Sequence, residues 1–326
     1  MPYSTPKVKL DLKDKKLLTA LDENARYSNA QLARKVGLSK PAVEYRIQRF
    51  HKNNVIFSHY TVINVTKLGY SQYKIYLKFQ NTSIENENKI ISYWTKDPNS
   101  VWVGQIRGIW DLAVSVLAKS NFEFGSILSA FMNKFSQFVL EKDVLLTEYS
   151  PIYAREYLSE TEPSEFVYGV PSKNYILNET DRKIVKILSN NAKIPIVDLA
   201  KKTALSRDNV TYRIKKLTEE GIIVQYRTYL NLSELGIRHY KIIFRTKNLS
   251  PQEENRVKQY VKDHKQSTQF LKLIGSYDME IEFEVENEDE LYSILQDIRE
   301  KFSNIIRDFG IIRITKTVKY DYFPFN

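Results

Sequence analysis

The chain repeats itself at a fixed offset of 167 positions, which constrains its fold more than any other feature. Leu32-Ala33 returns as Leu199-Ala200, and Leu38-Ser39 as Leu205-Ser206. Val43, Tyr45, Arg46 and Ile47 return as Val210, Tyr212, Arg213 and Ile214. The offset holds upstream at Asp14/Asp181 and Leu21/Leu188, and downstream at Leu68-Gly69/Leu235-Gly236, Gly108/Gly275 and Asp111/Asp278. A gapless offset over such a span marks a duplicated unit. Two copies do not make a solenoid, so each copy must fold around its own core or share one with its twin.

The repeated segment Asn29–Asn54 reads as two helices joined by a tight turn. Ser28 is placed to cap the first, with its hydroxyl accepting from a free backbone N–H. Leu32, Ala33 and Val36 recur at helical spacing. Gly37 ends this helix, because glycine adopts the left-handed conformation that a tight stop needs. Ser39 caps the next helix and Pro41 falls in its first turn, where a missing N–H costs nothing. Val43, Ile47 and Phe50 form its buried stripe, and Asn54 or Gly221 provides the stop. With a preceding helix over Lys13–Leu21, the pattern predicts a tri-helical helix-turn-helix unit in each copy.

The distribution of charge gives these units a partner. The net charge is +10, yet residues 13–54 carry +6 and residues 180–221 carry +5, so the remaining 242 residues sum to −1. Concentration of positive charge on two small units is the footprint of a polyanion. The outward residues of the second helix in each unit are the candidate contacts to double-stranded DNA. They are Ser39, Lys40, Glu44, Tyr45, Gln48 and Arg49 in the first copy, and Ser206, Arg207, Asn209, Tyr212, Lys215 and Lys216 in the second. Lys and Arg neutralise phosphates, and the amides of Gln48 and Asn209 have the geometry to read adenine. The alternative for each is a solvated helix face. Arg46 and Arg213 lie at the edge of the buried stripe and are expected to pair with Asp14 and Asp181. Because the two faces differ, two unlike half-sites are expected.

The rest of each copy has the rhythm βαββαβ. In the first, strands are expected at Tyr73–Phe79, Val101–Gln105, Leu112–Ala118 and Val144–Tyr149, with helices at Glu85–Lys96 and Phe122–Phe138. The second copy repeats the order. The fold class is therefore α+β: a tandem duplication of a winged-helix-like helix-turn-helix domain followed by a ferredoxin-like βαββαβ domain. A four-stranded sheet with both helices on one face leaves the other bare, here with Tyr76, Trp102 and Tyr277, and that face needs a partner. The other copy is the simplest one, since the polar linker reaches roughly 70 Å when extended. Self-association between chains is the alternative. Expected boundaries are 1–58, 59–153, 154–176 for the linker, 177–225 and 226–326, with residues 1–9 a loose arm. His59–Val65 and Tyr226–Leu232 read as strands connecting the domains.

No apolar run is long enough to cross a membrane, and no apolar signal core opens the chain, so a cytoplasmic protein is expected. With no cysteine and four histidines at no ligand spacing, no metal and no cofactor are expected.

These residues as a set resemble the Lrp/AsnC family of feast/famine transcription regulators. The resembling elements include Asp14, Asn24-Ala25-Arg26, Leu38-Ser39, Val43, Arg46-Ile47 and Gly108-Ile109-Trp110-Asp111, with their counterparts ending in Gly275-Ser276-Tyr277-Asp278. The resemblance implies a sequence-specific regulator whose sheet domain dimerises and senses a small molecule of the amino acid class. It places the effector near Gly108, Trp110, Asp111, Gly275, Tyr277 and Asp278. Read from composition alone, these glycines and aspartates are ordinary turn residues. A second resemblance is to fused two-copy siroheme decarboxylases of the same overall fold. Those carry a His-Asn-Tyr-x-x-Arg type stretch, whereas Trp102–Gly108 here has no histidine and Leu271–Gly275 has neither histidine nor arginine. The expectation from sequence is that the chain is not an enzyme.

Overall fold

The computed structural model describes residues 8–159, 165–169, 174–247, 249–323 and 325. Most of the expected N-terminal arm and part of the expected linker lie outside them. The first helix-turn-helix unit comprises α1 (Leu12–Glu23), α2 (Asn29–Val36) and α3 (Lys40–Lys52). The strand β1 (Ile56–Ile63) follows. Next come β2 (Ser71–Phe79), α4 (Ile84–Lys96), β3 (Ser100–Gly108), β4 (Leu112–Ala118), α5 (Asn121–Phe135) and β5 (Val139–Tyr153). A short β6 (Glu165–Tyr168) lies within the expected linker. The second unit has α6 (Glu179–Asn190), α7 (Ile196–Thr203), α8 (Arg207–Glu219) and β7 (Ile223–Leu230). Finally β8 (Arg238–Thr246), α9 (Pro251–Asp263), β9 (Ser267–Ile274), β10 (Met279–Val285), α10 (Glu288–Phe302) and β11 (Ile306–Tyr320) repeat the βαββαβ order.

The caps explain where the helices begin and end. Ser28 and Gln31 form a reciprocal capping box on α2, and the Ser39 and Ser206 hydroxyls accept from the backbone N–H of Ala42 and Asn209. Gly37 ends α2 at φ +64°, and Asn54 and Gly221 follow α3 and α8 at φ +54° and +66°. The position matching Gly37 is Ala204, which takes the same left-handed conformation at φ +56° despite its Cβ.

Within each copy the sheet has the ferredoxin-like order, β5-β2-β4-β3 in the first and β11-β8-β10-β9 in the second. The two sheets do not stop there. β3 pairs with β11 and β5 pairs with β9, both antiparallel, closing eight strands into one ring. Helices α4, α5, α9 and α10 cover the outside in two apolar layers, one around Trp94 and Phe131 and the other around Phe244, Phe283 and Phe302. The inward face holds Tyr76, Ile106, Trp110, Leu145, Ile243, Leu273, Tyr277 and Ile312, with Trp102 packed against them. The three residues expected on a bare face therefore meet the other copy within the same chain.

β1 and β7 do more than connect. They pair with each other antiparallel, from Ile56/Leu230 to Ile63/Ile223 with a register shift near each end, and make a two-stranded ribbon. Each ribbon strand completes the core of the opposite unit: Tyr60, Val62 and Ile63 pack with Ile184, Leu188 and Val210, whereas Leu230 packs with Leu17, Leu21 and Phe50. The exchange obeys the internal offset. Ala25 N–H donates to the Tyr226 carbonyl and Ala192 N–H to the His59 carbonyl, both at 2.9 Å. Asn64 N–H donates to Ile222 and Asn231 N–H to Val55, at 2.9 and 2.8 Å. The two copies are thus related by a pseudo-twofold, and neither helix-turn-helix core is complete without its twin. The expected boundaries at 58 and 225 fall inside these ribbon strands.

Candidate nucleic-acid interface

The scaffold of each helix-turn-helix is held by a carboxylate under its second helix. Asp14, buried in α1, receives Arg46 Nη1 at 2.5 Å and Arg49 Nη2 at 2.5 Å. In the second unit Asp181 receives Arg213 Nη1 at 2.8 Å. The expected pairing of Arg46 with Asp14 and of Arg213 with Asp181 is present. Arg49, expected on the outward face, is instead drawn back: it sits one turn after Arg46, and Asp14 has a second oxygen to offer it. Its counterpart Lys216 remains exposed, so the two faces differ in their charge as well as in their polar residues.

The other candidate contacts point away from the protein. Ser39, Lys40, Glu44, Tyr45 and Gln48 are exposed on α3 and its cap, and Ser206, Arg207, Asn209, Tyr212, Lys215 and Lys216 on α8 and its cap. Tyr45 and Tyr212 keep 67 % and 65 % of their surface, unusual for large side chains on a helix with no internal partner to seek. Asn209 Oδ1 accepts from Arg213 Nε at 2.8 Å, which leaves its Nδ2 donor outward. Lys215 has only a long contact to Glu219, 3.7 Å.

None of the six turn residues lines the cavity described below. Asp111 accepts from Phe79 N–H at 2.9 Å and from Lys78 at 3.2 Å, and Asp278 accepts from Thr246 N–H and Oγ1 at 2.6 and 2.9 Å. Both carboxylates are occupied in closing turns. Trp110 and Tyr277 are buried plugs at one end of the barrel. Gly108 and Gly275 stand at the seams between the two sheets: a Cβ at Gly108 would lie 2.2 Å from the Ile311 carbonyl, and one at Gly275 2.6 Å from Leu145. The turn motif closes the barrel.

A cavity of about 1140 Å³ opens elsewhere, between the other end of the barrel and the β1–β7 ribbon. Tyr60, Tyr229 and Arg227 contribute from the ribbon, and Gln72, Trp102 and Lys241 from the barrel. Its walls contain buried ion networks. Glu280 holds Lys74 at 2.6 Å and Lys241 at 2.7 Å, and Tyr76 donates to it at 2.5 Å. Lys241 also bonds Glu282, which meets His239 Nε2 at 2.8 Å. Burial lowers the Lys74 ammonium to about 8 against the pull of Glu280. Arg155, from the expected linker, bridges Asp22 at 2.9 Å and Glu284 at 2.8 Å, and Arg227 also bonds Asp22. Burial pushes the Asp22 carboxyl up, but Arg155 and Arg227 outweigh it and hold it below the usual range. None of these lining groups was singled out from the sequence as a site residue. Each is a lone polar or aromatic residue in a segment that reads as strand or connector; Trp102 and Arg107, which also lines the cavity, fall in the Trp102–Gly108 stretch.

Two exposed polar helices, each clamped on a helix-turn-helix scaffold, define a DNA-binding protein. Residues 10–51 match the model of the AsnC-type helix-turn-helix domain, and residues 177–224 that of the winged helix-turn-helix DNA-binding domain. The regulator FL11 of Pyrococcus abyssi is 30 % identical over 119 residues, 36 % of this chain and 78 % of the relative. The chain belongs to the Lrp/AsnC family and is a DNA-binding transcription regulator. The proline dehydrogenase transcriptional activator of Rhodobacter capsulatus is 41 % identical over 64 residues, 20 % of this chain and 42 % of that protein. Over its whole length the chain resembles the siroheme decarboxylase NirDL, solved with an iron-uroporphyrin III analogue. The TM-score is 0.63 at 12 % identity, covering 96 % of this chain and 94 % of that one. The sequence reading placed the chain outside the enzymes. This likeness overturns that placement, because the same two-copy fold carries an enzyme.

Proposed function

We propose that one chain reads one asymmetric operator, with α3 on one half-site and α8 on the other. The observation that carries this reading is the pair of exposed, unlike faces on scaffolds clamped by Asp14 and Asp181. Lys40, Arg207, Lys215 and Lys216 bind phosphates, and the Ser39 and Ser206 hydroxyls, whose oxygens already serve as caps, donate to them. Gln48 and Asn209 read bases, and Tyr45, Tyr212 and Glu44 add shape and discrimination. A covalent pseudo-dimer acts here as a two-chain dimer would, in the cytoplasm, and its half-sites lie one helical turn or a multiple apart. Further association between chains is open to the exposed surface outside the ring.

Selection from random-sequence duplex DNA at about 150 mM salt, with excess competitor, tests the reading. A bipartite motif with two unlike halves is the expected result. No enrichment would remove the reading, and equal affinity for two copies of either half would remove its asymmetry.

A further inference from the structure

Two lysines stand at equivalent positions inside the barrel, Lys74 of β2 and Lys241 of β8, 167 residues apart. The second copy places Glu280 and Glu282 on β10, where the first has Ala113 and Ser115 on β4. Both ammonium groups therefore depend on carboxylates of one copy. Lys241 has two, Glu280 at 2.7 Å and Glu282. Lys74 has Glu280 alone, with Nζ 2.6 Å from each oxygen. That carboxylate also accepts from the Tyr76 hydroxyl at 2.5 Å, and Glu282 is further engaged by His239 Nε2. Of the two lysines, Lys74 is the more weakly held.

The surroundings decide which amine can lose its proton. Burial is the largest influence on the Lys74 ammonium and Lys241 adds repulsion; together they outweigh Glu280 and Glu282 and lower it to about 8. At Lys241 burial acts alike, but Glu280 and Glu282 outweigh it and hold the ammonium above the ordinary value. Lys74 also lines the cavity of about 1140 Å³, although the residue is only 3 % exposed. On the sheet it lies opposite Ser115 of β4, which lies opposite Trp102 of β3, and both line the same cavity. A buried amine that gives up its proton close to neutrality, beside a cavity, has the character of a nucleophile. Trp102 offers an aromatic surface to a ring entering there.

We propose that Lys74 captures an aromatic aldehyde in this cavity as a reversible imine, with Glu280 as the counter-ion and Trp102 beside the ring. The neutral Nζ attacks the carbonyl carbon, a C–N bond forms, and the oxygen takes up the proton that nitrogen releases. Loss of water then breaks the C–O bond and leaves C=N. Overall, ammonium and aldehyde give protonated imine and water. Nothing is oxidised or reduced, so no co-reactant is required. The protonated imine keeps one positive charge and one N–H on nitrogen, which Glu280 needs to remain paired in a buried site. No residue of α3 or α8 takes part, so this chemistry is separate from the DNA-binding reading.

The test uses the full chain with benzaldehyde and cyanoborohydride, which delivers hydride to the imine carbon and fixes the adduct as a secondary amine. Peptide mapping by mass spectrometry gives the initial rate at each lysine. At pH 7 roughly one Lys74 in ten is neutral, against roughly one in a few thousand for an ordinary lysine. Lys74 is therefore expected to react at least about tenfold faster than the exposed Lys40 and Lys215, the rest of its advantage being lost to restricted access. Its lead should narrow as pH rises past about 8, where Lys74 is already neutral and the others are not. Lys74→Arg, which keeps a cation on Glu280, should remove the fast site without creating one at Lys241. Trp102→Leu should slow Lys74 by about threefold or more. Concentrated urea should abolish the preference. Labelling of Lys74 no faster than that of the exposed lysines, or just as fast in urea, overturns the proposal without recourse to any variant. Equal rates at Lys241 would overturn the asymmetry, and an undiminished rate in Trp102→Leu would overturn the place given to the ring.

Discussion

Acidification should loosen the ribbon through one histidine, His59 of β1. Its ring is 9 % exposed, and its Nδ1 meets Thr228 Oγ1 of the paired strand at 3.0 Å. Nε2 is buried without a partner. Burial, then Lys193, then His51 lower its pKa from 6.5 to about 3, so the folded protein holds the ring neutral. The unfolded chain binds a proton near pH 6.5 and the folded one does not, so stability rises with pH between about 3 and 6.5. The contribution is complete above pH 6.5 and is lost as pH falls. At about 1.4 kcal/mol per unit, roughly 2 kcal/mol is gone by pH 5. The carboxylates of the ion networks are held low, so the stability they contribute is lost only below about pH 5, outside the range from pH 7 to 5. His51 and His264, also lowered, contribute with the same sign. Comparison with His59→Gln isolates the one group. Urea unfolding of both proteins at pH 7, 6 and 5 should show the parent losing about 2 kcal/mol more than the variant. Parallel losses, or an NMR titration of His59 with a midpoint near 6.5, would refute the reasoning.

Three other perturbations have definite signs. Ala204→Gly should raise stability by about 1 kcal/mol, because the left-handed conformation penalises a Cβ, and Gly37→Ala should lower it by at least as much; thermal unfolding measures both. Asp22→Asn leaves Arg227 without a carboxylate partner in a buried site, and Arg155 with Glu284 alone, and should cost about 3–5 kcal/mol, read by denaturant midpoint. Lys40→Gln and Lys215→Gln should each flatten the slope of log affinity against log salt by about 0.9 if each meets one phosphate, whereas Arg46→Gln should act on stability first.

Much of this architecture could be read from local pattern. The alternation in Tyr73–Phe79, the serine caps and the paired Gly-x-x-Asp turns state the βαββαβ order directly. The exposed character of Tyr76, Trp102 and Tyr277 in an isolated sheet already demanded a second sheet. What local pattern does not contain is pairing at long range. Nothing in Ile56–Ile63 says that its partner is 167 residues away, and so the cavity roofed by that pairing was invisible as well. Arg155 looked like one charge in a polar linker, yet its two carboxylate partners come from Asp22 and Glu284, on opposite sides of it in sequence. Arg49 was misplaced for a smaller reason: helical spacing puts it at the border of the outer face, and Asp14 has two oxygens.

Closure of the eight-stranded ring has a consequence for how such a protein lives among its relatives. Two-chain versions of a barrel like this one can part and re-form, and then mixed dimers arise whenever related chains are made together. Here both seams, β3 with β11 and β5 with β9, are closed within one polypeptide, and among the described residues only the short β6, laid on β5, ends that sheet. The twin reading heads are born in a fixed ratio, hold their spacing at any dilution, and are insulated from exchange with other members of the family.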